Sequence, residues 1–236
     1  TDVQISSKIL KNAERPELVV GVLDIDRDGV EELVVISNVV HILEVSAPHV
    51  LSSTSMISPS LPGASALELA IGDLNADGGP DMIVGFGVCT NDRLELRGAA
   101  DVILMNLGHG RLETYLLEPQ RDGFTNGITL ADLNADGRND VIESIDASPL
   151  VGVSRILMNT TEPGARVPTF SVHPHTYDTG TYGMGAAVDD VDQDGFIDIY
   201  NTSVGRDLLS LGRADGSYEQ AADALGVVHE WGMGRG

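Results

Sequence analysis

One nine-residue pattern recurs four times in this chain of 236 residues, and it constrains the fold more than any other feature. Each copy reads Asp-x-Asp/Asn-x-Asp-Gly-x-x-Asp/Glu. The copies begin at Asp24, Asp73, Asp132 and Asp190, which are 49, 59 and 58 residues apart. Recurrence of one pattern at such spacing indicates a repeat architecture in which each unit contributes the same local structure.

Short apolar segments lie on both sides of every copy, such as Leu18–Leu23 before the first and Leu33–Ile36 after it. They are rich in Val, Ile and Leu and end at Gly, Asn or Asp, which is typical of strands. A sustained helical period is absent, and the nearest candidate for a helical turn or two is Tyr218–Leu225. About four strands per repeat predict an all-β β-propeller of four-stranded antiparallel blades, because stacked blades bury the two faces that a lone sheet would expose.

The loops carry oxygen ligands at the spacing that a calcium ion requires. Calcium takes six to eight oxygens, and positions 1, 3, 5 and 9 offer side chains while position 7 offers its backbone carbonyl. Glycine at position 6 allows the sharp turn with positive φ. Magnesium requires stricter octahedral geometry, so we expect up to four Ca²⁺ ions, one per loop. The predicted ligands are Asp24, Asp26, Asp28, Val30 and Glu32 in loop 1; Asp73, Asn75, Asp77, Gly79 and Asp81 in loop 2; Asp132, Asn134, Asp136, Arg138 and Asp140 in loop 3; and Asp190, Asp192, Asp194, Phe196 and Asp198 in loop 4.

Two other interpretations compete with calcium hairpin loops. An EF-hand needs a glutamate at position 12 and flanking helices; position 12 is Val35, Val84, Glu143 and Asn201, and the flanks are predicted strands. Solvated Asp-Gly turns are the second alternative, and fourfold recurrence of the ligand spacing disfavours them. Loops 1 and 4 have four acidic side chains each, so we expect them to bind more tightly than loops 2 and 3, unless the longer Glu32 weakens loop 1.

Composition restricts the partners. The formal net charge is −22, with 36 acidic and 14 basic residues, so nucleic acid and anionic membrane surfaces are repelled. Bound cations would relieve this self-repulsion, and 42% hydrophobic residues argue against disorder. We expect no membrane insertion, because the chain has no apolar run of the roughly 18 residues needed to span a bilayer.

On the loop sequences the chain resembles the FG-GAP or VCBS repeats of integrin α-subunit propellers. The segment Leu211–Gly226, followed by Trp231-Gly-Met-Gly, is similar to a stretch of the cartilage acidic protein (CRTAC-like) and ASPIC/UnbV group. The resemblance implies a secreted or cell-surface protein, periplasmic or on the outer surface in a bacterium, used for adhesion and protein binding. It also implies a ring of about seven blades.

The repeats predict one propeller domain over 1–236, with units at 15–62, 63–122, 123–178 and 179–228. Residues 229–236 read as the start of a fifth unit, because Trp231-Gly-Met-Gly repeats Tyr182-Gly-Met-Gly 49 residues later. A fifth loop would begin near position 239, so we expect this sequence to be part of a larger ring; the alternative is that the last strand closes the ring in another way.

Two function classes remain open. The first is a non-catalytic adhesion, ligand-binding or assembly scaffold with structural calcium, whose partner is a protein or glycan on the propeller face or a neighbouring subunit. The second is a calcium-dependent carbohydrate-active propeller, either a lectin or a polysaccharide lyase or hydrolase. We expect no enzyme, since G-x-S-x-G, H-E-x-x-H and P-loop motifs are absent and aromatic content is only 4%.

His173 and His175 are expected in a loop, Trp231 in an inter-blade core, and Asn159 and Asn201 begin N-glycosylation sequons.

Overall fold

The structure, a computed structural model, is all-β apart from one short helix. It describes residues 19–37, 39–47, 50–57, 64–90, 95–119, 123–145, 154–177, 182–204 and 206–228. Within these ranges it has seventeen strands and one helix. The prediction of an all-β chain is confirmed. No helix in the described ranges is long and apolar enough to cross a membrane.

The strands form four antiparallel sheets, one for each copy of the loop. Sheet 1 contains β1 (Val19–Leu23), β2 (Glu32–Ile36), β3 (Val40–Ala47) and β4 (Val50–Ile57). Sheet 2 contains β5 (Ser65–Gly72), β6 (Asp81–Thr90), β7 (Glu95–Gly98), β8 (Val102–Asn106) and β9 (Leu112–Leu116). Sheet 3 contains β10 (Thr125–Ala131), β11 (Asp140–Ile145), β12 (Ser154–Asn159) and β13 (Phe170–Tyr177). Sheet 4 contains β14 (Tyr182–Asp189), β15 (Asp198–Val204), β16 (Leu208–Gly212) and β17 (Tyr218–Gln220), and helix α1 (Ala222–Leu225) follows it.

Three sheets have the four strands that the sequence predicts, and sheet 2 has a fifth. Its additional strand, β7, forms because β6 is ten residues long and extends beyond its partner β8. The first part of β6 pairs with β8 from Met82 to Val84, and the second part pairs with β7 from Gly87 to Thr90. The extension lies away from the loop, so the loop end of sheet 2 keeps the arrangement of the other sheets.

Each Asp-rich loop is the connection between the first and second strands of its sheet. In sheet 3 the residue before the loop, Ala131, pairs with Asp140, which is position 9 of the loop and the first residue of β11. The same register pairs the corresponding residues of the other three sheets. Position 9 therefore belongs to a strand as well as to the loop, and this fixes its side chain relative to the sheet.

Successive sheets pack face to face, and buried apolar clusters lie between them. Strand β6 shows why the apolar runs of this sequence are continuous. Its Met82 and Val84 pack against sheet 1, whereas Ile83 packs against sheet 3. Alternate side chains of a strand point to opposite faces, so a sheet covered on both sides needs apolar residues at every position.

The first strands of the four sheets lie side by side in the order β1, β5, β10, β14. Spacing between them is tight: a Cβ on Gly127 of β10 would lie 2.8 Å from the Cα of Gly185 in β14. Four sheets packed in a row around neighbouring first strands fit propeller-like blades. The contacts between the described residues do not show a closed ring.

Two local expectations need correction. His173 lies within β13 and not in a loop, because its segment pairs with β12. The helical turn expected over Tyr218–Leu225 is confined to α1, since Tyr218 pairs with Gly212 as part of β17. Trp231 and the predicted start of a fifth unit at 229–236 lie outside the described residues.

Candidate metal centres

All four loops are folded by the same set of hydrogen bonds from backbone N–H groups to their own acids. In loop 1 the N–H of Asp28 donates to Oδ1 of Asp24 at 3.0 Å and to Oδ1 of Asp26 at 3.2 Å, while the N–H of Gly29 donates to Oδ2 of Asp24 at 2.9 Å. Equivalent bonds occur in the other three loops. The side chains at positions 1 and 3 are thereby turned into the loop, where their remaining lone pairs can meet a cation.

The loop backbone takes positive φ at two positions. Glycine at position 6 does so in every loop, with φ between 83° and 93°, as the sequence predicts. Position 4 also has positive φ, although it is occupied by Arg27, Ala76, Ala135 and Gln193. Non-glycine residues adopt this conformation at a cost, and the side chains at position 4 share no chemistry that would have revealed it in the sequence.

Position 9 is buried in every loop, and in loops 2, 3 and 4 it is bound by two different segments of the backbone. In loop 3 the Oδ2 of Asp140 accepts the N–H of Leu133 at 3.0 Å, and its Oδ1 accepts the N–H of Asn159, at the end of β12, at 2.7 Å. Asp81 and Asp198 make the same pair of bonds in loops 2 and 4. These acids therefore fasten the loop to the third strand of the sheet, a structural role that the ligand pattern alone did not predict.

In loops 1, 2 and 3 the electrostatics at position 9 favour a nearby cation. Burial raises the pKa of Asp81 and of Asp140 to about 6, against the opposing effect of their backbone hydrogen bonds. Burial likewise raises the pKa of Glu32, and the carboxylates of loop 1 add to the shift. A raised pKa means that the charged form lacks compensation, and a divalent cation in the loop would supply it.

Acidic oxygens converge most closely in loops 1 and 4. Ligand oxygens of Asp24, Asp26 and Glu32 all lie within 4.8 Å of one another, and so do those of Asp190, Asp192 and Asp194. Hard carboxylate oxygens at this spacing fit calcium. These are the two loops for which the sequence predicts tighter binding, because loops 2 and 3 have an asparagine at position 3. In loop 3 that asparagine, Asn134, donates its Nδ2 to Asp136 at 2.9 Å.

Arginine side chains pair with the position 5 carboxylate of three loops. Arg27 reaches from loop 1 to Asp77 of loop 2 at 2.7 Å, and Arg138 pairs with Asp136 within loop 3 at 2.6 Å. Arg213 contacts Asp192 and Asp194 of loop 4 at 3.2 and 3.1 Å. The guanidinium of Arg27 in loop 1 thus pairs with loop 2, and no described arginine or lysine contacts the four acids of loop 1 itself, a difference between the loops that the repeated motif does not reveal.

The EF-hand alternative is excluded by the flanking structure. Strands stand on both sides of every loop, and position 12 falls inside the second strand of each sheet. Glu143, the one acid at position 12, is buried and pairs with Arg155 of β12 rather than turning towards loop 3.

The two sequon asparagines are buried. Asn159 donates its Nδ2 to the carbonyl oxygens of Leu74 and Asn139, and Asn201 donates its Nδ2 to Ser144 Oγ at 3.0 Å. A glycan on either amide would have to displace these bonds and open the core, so the folded chain does not present them as glycosylation sites.

No protein-family model matches the sequence, and no curated protein matches it either. Among solved structures, the chain is similar to one titled as the structural basis of specific recognition of non-reducing terminal N-acetylglucosamine by an Agrocybe aegerita lectin. The TM-score is 0.54 at 18% identity, and the match covers 86% of this chain and 51% of the other. The chain thus spans about half the length of that structure. At this identity the likeness concerns the fold alone, and the resemblance to FG-GAP or VCBS repeats stays a prediction.

Proposed function

We propose that this chain is a calcium-stabilised, non-catalytic binding scaffold that works in an extracellular or cell-surface setting. The observation that carries the proposal is the repetition of one hydrogen-bonded loop frame at the same place in all four sheets. Inward-turned hard oxygens at four equivalent positions are what a set of structural calcium sites requires.

The predicted ligands would hold one ion per loop, with positions 1, 3 and 5 as the outer acids and position 9 as the buried one. When bound, calcium supplies two positive charges that compensate the clustered carboxylates. The side chains of the loop already accept backbone N–H groups, so an ion would add to a frame that exists and would bind the first two strands of a sheet together. It would also offset part of the net charge of −22.

A glycan is the ligand class that we favour for the scaffold, because the chain is similar in fold to the solved structure of a lectin. One pair of adjacent carboxyl groups could be considered as the acid and base of a glycosidase. Its burial favours a binding role over hydrolysis. Asp101 and Glu143 are in contact, but they are 6% and 0% exposed, and Glu143 is paired with Arg155. A glycosidase needs two carboxyl groups that reach the substrate, and this pair is closed off.

Calorimetry of the full chain in EDTA, in calcium and in magnesium tests the proposal. We expect EDTA to lower the melting temperature markedly, calcium to restore it and magnesium to restore it less. A variant with Asp24→Ala and Asp190→Ala should lose much of the calcium response. The matched control is Glu162→Gln, an exposed acid outside the loops. Identical melting curves in EDTA and calcium would refute the metal sites, and turnover of any polysaccharide in a parallel hydrolysis assay would refute the non-catalytic role.

A further inference from the structure

A cleft of about 230 Å³ opens between sheets 3 and 4 at the loop end of the molecule. One wall is loop 3, and the other is formed by loop 4 and by the turn between β16 and β17. Its volume lies below the roughly 300–1,000 Å³ of drug-sized ligand sites, so it suits a single ring with a small substituent.

At this cleft Gly212 stands where two other sheets have an asparagine. Asn106, Asn159 and Gly212 are equivalent, since each ends the third strand of its loop sheet and donates its N–H to the position 9 acid. Between sheets 2 and 3, the Asn159 side chain reaches across to the carbonyl of Leu74 in loop 2 at 2.9 Å. Gly212 has no side chain with which to make this link to loop 3.

The backbone of loop 4 leaves no room for a side chain at position 212. A Cβ on Gly212 would lie 2.5 Å from the carbonyl oxygen of Ile197, closer than real Cβ contacts allow. The corresponding space between sheets 1 and 2 is smaller, about 170 Å³, and acidic residues such as Asp26, Glu32 and Glu44 line it. The cleft between sheets 3 and 4 therefore differs in chemistry from its counterpart.

The cleft has an apolar floor and a polar rim. Leu133 and Met158 belong to the apolar packing between sheets 3 and 4, and Phe196, 38% exposed, stands at the mouth. Tyr218 meets His173 edge to face at 5.8 Å between ring centroids. Aromatic and aliphatic surface beside a few polar groups is the usual character of a small-molecule site.

The charges around the cleft disfavour an anionic ligand. Arg213 lines the cleft, but its guanidinium is shared among Asp192 at 3.2 Å, Asp194 at 3.1 Å and Glu219 at 2.9 Å. Asp132 of loop 3 stands on the opposite wall. The positive charge of the site is thus already compensated, and a neutral ligand fits better than an acid.

We propose that this cleft binds one neutral saccharide residue that carries an acetamido group. The apolar floor would take the C–H face of the ring and the acetamido methyl. At the rim, Asn134 Nδ2 has a second N–H besides the one donated to Asp136. Ser217 Oγ donates its proton to Asp215 but can still accept, so both side chains can bond hydroxyl groups. The assignment rests on the proposed binding function and gives it a location. Both walls contain a predicted calcium loop, so calcium would fix their separation.

Titration of the calcium-loaded full chain with N,N′-diacetylchitobiose, followed by amide chemical shifts, tests the assignment. We expect shifts at Asn134, Ala214 and Ser217 at millimolar sugar, and weaker binding of cellobiose, which lacks the acetamido group. Phe196→Ala should weaken binding by about fivefold, and Ala214→Trp, at an exposed lining position, should block it. The matched control is Val191→Ala, in the same loop, 55% exposed and outside the cleft.

Each variant is first checked for an unchanged calcium-dependent melting temperature, so that a folding defect is not mistaken for lost binding. Chitobiose binding that neither cleft variant weakens would overturn the assignment while leaving the scaffold function in place. Absence of binding to a chain that calcium does stabilise would also overturn it. A failure of calcium to stabilise the chain is a separate result, and it refutes the proposed function instead.

Discussion

Arg213 changes the electrostatics of loop 4 without replacing any of its predicted calcium ligands. Its guanidinium lies on the same acids, Asp192 and Asp194, that form the cation-compatible cluster of loop 4. A resident positive charge lowers the attraction of the loop for a cation, because the two charges compete for the same carboxylates. In loop 1, by contrast, no described arginine or lysine contacts the acids.

Replacing this arginine should therefore strengthen calcium binding. We expect Arg213→Gln to raise the calcium affinity of loop 4 severalfold and to lower the melting temperature slightly in EDTA, where the arginine is the counter-charge. Isothermal titration calorimetry measures the first effect and thermal unfolding the second. Arg206→Gln is the matched control, since Arg206 pairs with Asp223 of α1 and neither residue belongs to one of the four loops. Weaker calcium binding by Arg213→Gln would mean that the arginine organises the loop for the ion and does not compete with it.

At this scale the sequence predicts part of each loop. Glycine at position 6 has the positive φ expected of it, and acids at positions 1 and 3 turn inwards. The burial of Asp140 and its bond to the N–H of Asn159 were not predicted, because they depend on a strand residue that lies 19 positions later in the chain. The contact of position 9 with the sheet could nevertheless have been inferred from the sequence. The residue begins an apolar strand, and the alternation of side chains along that strand directs its carboxyl group to one face of the sheet.

The first strands of neighbouring sheets lie very close together. Substitution of a glycine between two of these strands tests that packing directly. Gly127→Ala in β10 should lower the free energy of unfolding by about 1–3 kcal/mol, because the new Cβ would meet backbone atoms of Gly185 and Met184 at 2.8 and 3.0 Å. Urea denaturation gives the value. Gly185→Ala is the matched control: its nearest neighbour, Thr202 Oγ1, is 3.8 Å away. Equal effects of the two substitutions would contradict the close packing of β10 against β14.

A buried carboxyl group links sheets 2 and 3. Asp101 accepts the N–H of Phe86 at 2.8 Å and the hydroxyl of Thr125 at 2.7 Å, and it contacts Glu143, which is itself paired with Arg155. Burial, together with the nearby charge of Glu143, raises the pKa of Asp101 well above its ordinary value. The folded chain therefore holds this proton more tightly than the unfolded chain does.

Asp101 should make the chain less stable as the pH rises. Its contribution is fully present below the unfolded pKa of about 4 and is lost as the pH passes through the raised folded pKa. We expect Asp101→Asn, which stays neutral, to remove that part of the pH dependence. Urea denaturation in EDTA gives the free energy of unfolding of both proteins between about pH 4 and pH 8. The difference between the two values at each pH isolates the contribution of Asp101. A difference between the two that is constant with pH would contradict the raised pKa.

The strands themselves were largely predictable, whereas their exact number was not. Runs of Val, Ile and Leu that end at Gly or Asn predict strands wherever both faces of a sheet are covered. Strand β7 was missed because its sequence, Glu95-Leu-Arg-Gly98, has no apolar run and forms through pairing with the end of β6. The cleft between sheets 3 and 4 was missed for a similar reason. The sequence does not show that Gly212 is structurally equivalent to Asn159, so the lack of a side chain at this position could not be recognised.

The whole molecule carries a charge that its fold must tolerate. Repulsion among 36 acidic residues opposes any compact state, and only 14 basic residues offset it. Four bound calcium ions would reduce the net charge from −22 to about −14, and they would do so at the loops, where acids are closest together. Bound calcium would thus act both locally, on loop geometry, and globally, on the charge of the chain.

The two effects can be separated with a monovalent salt, which screens charge without filling the loops. Raising KCl from about 20 mM to about 0.5 M shortens the Debye length from about 20 Å to about 4 Å. In EDTA we expect the melting temperature to rise with KCl, because long-range repulsion is screened. In calcium the rise should be smaller, since less charge remains. A melting temperature in EDTA that KCl leaves unchanged, but calcium still raises, would show that the ion acts through the loops alone and that the net charge has little bearing on stability.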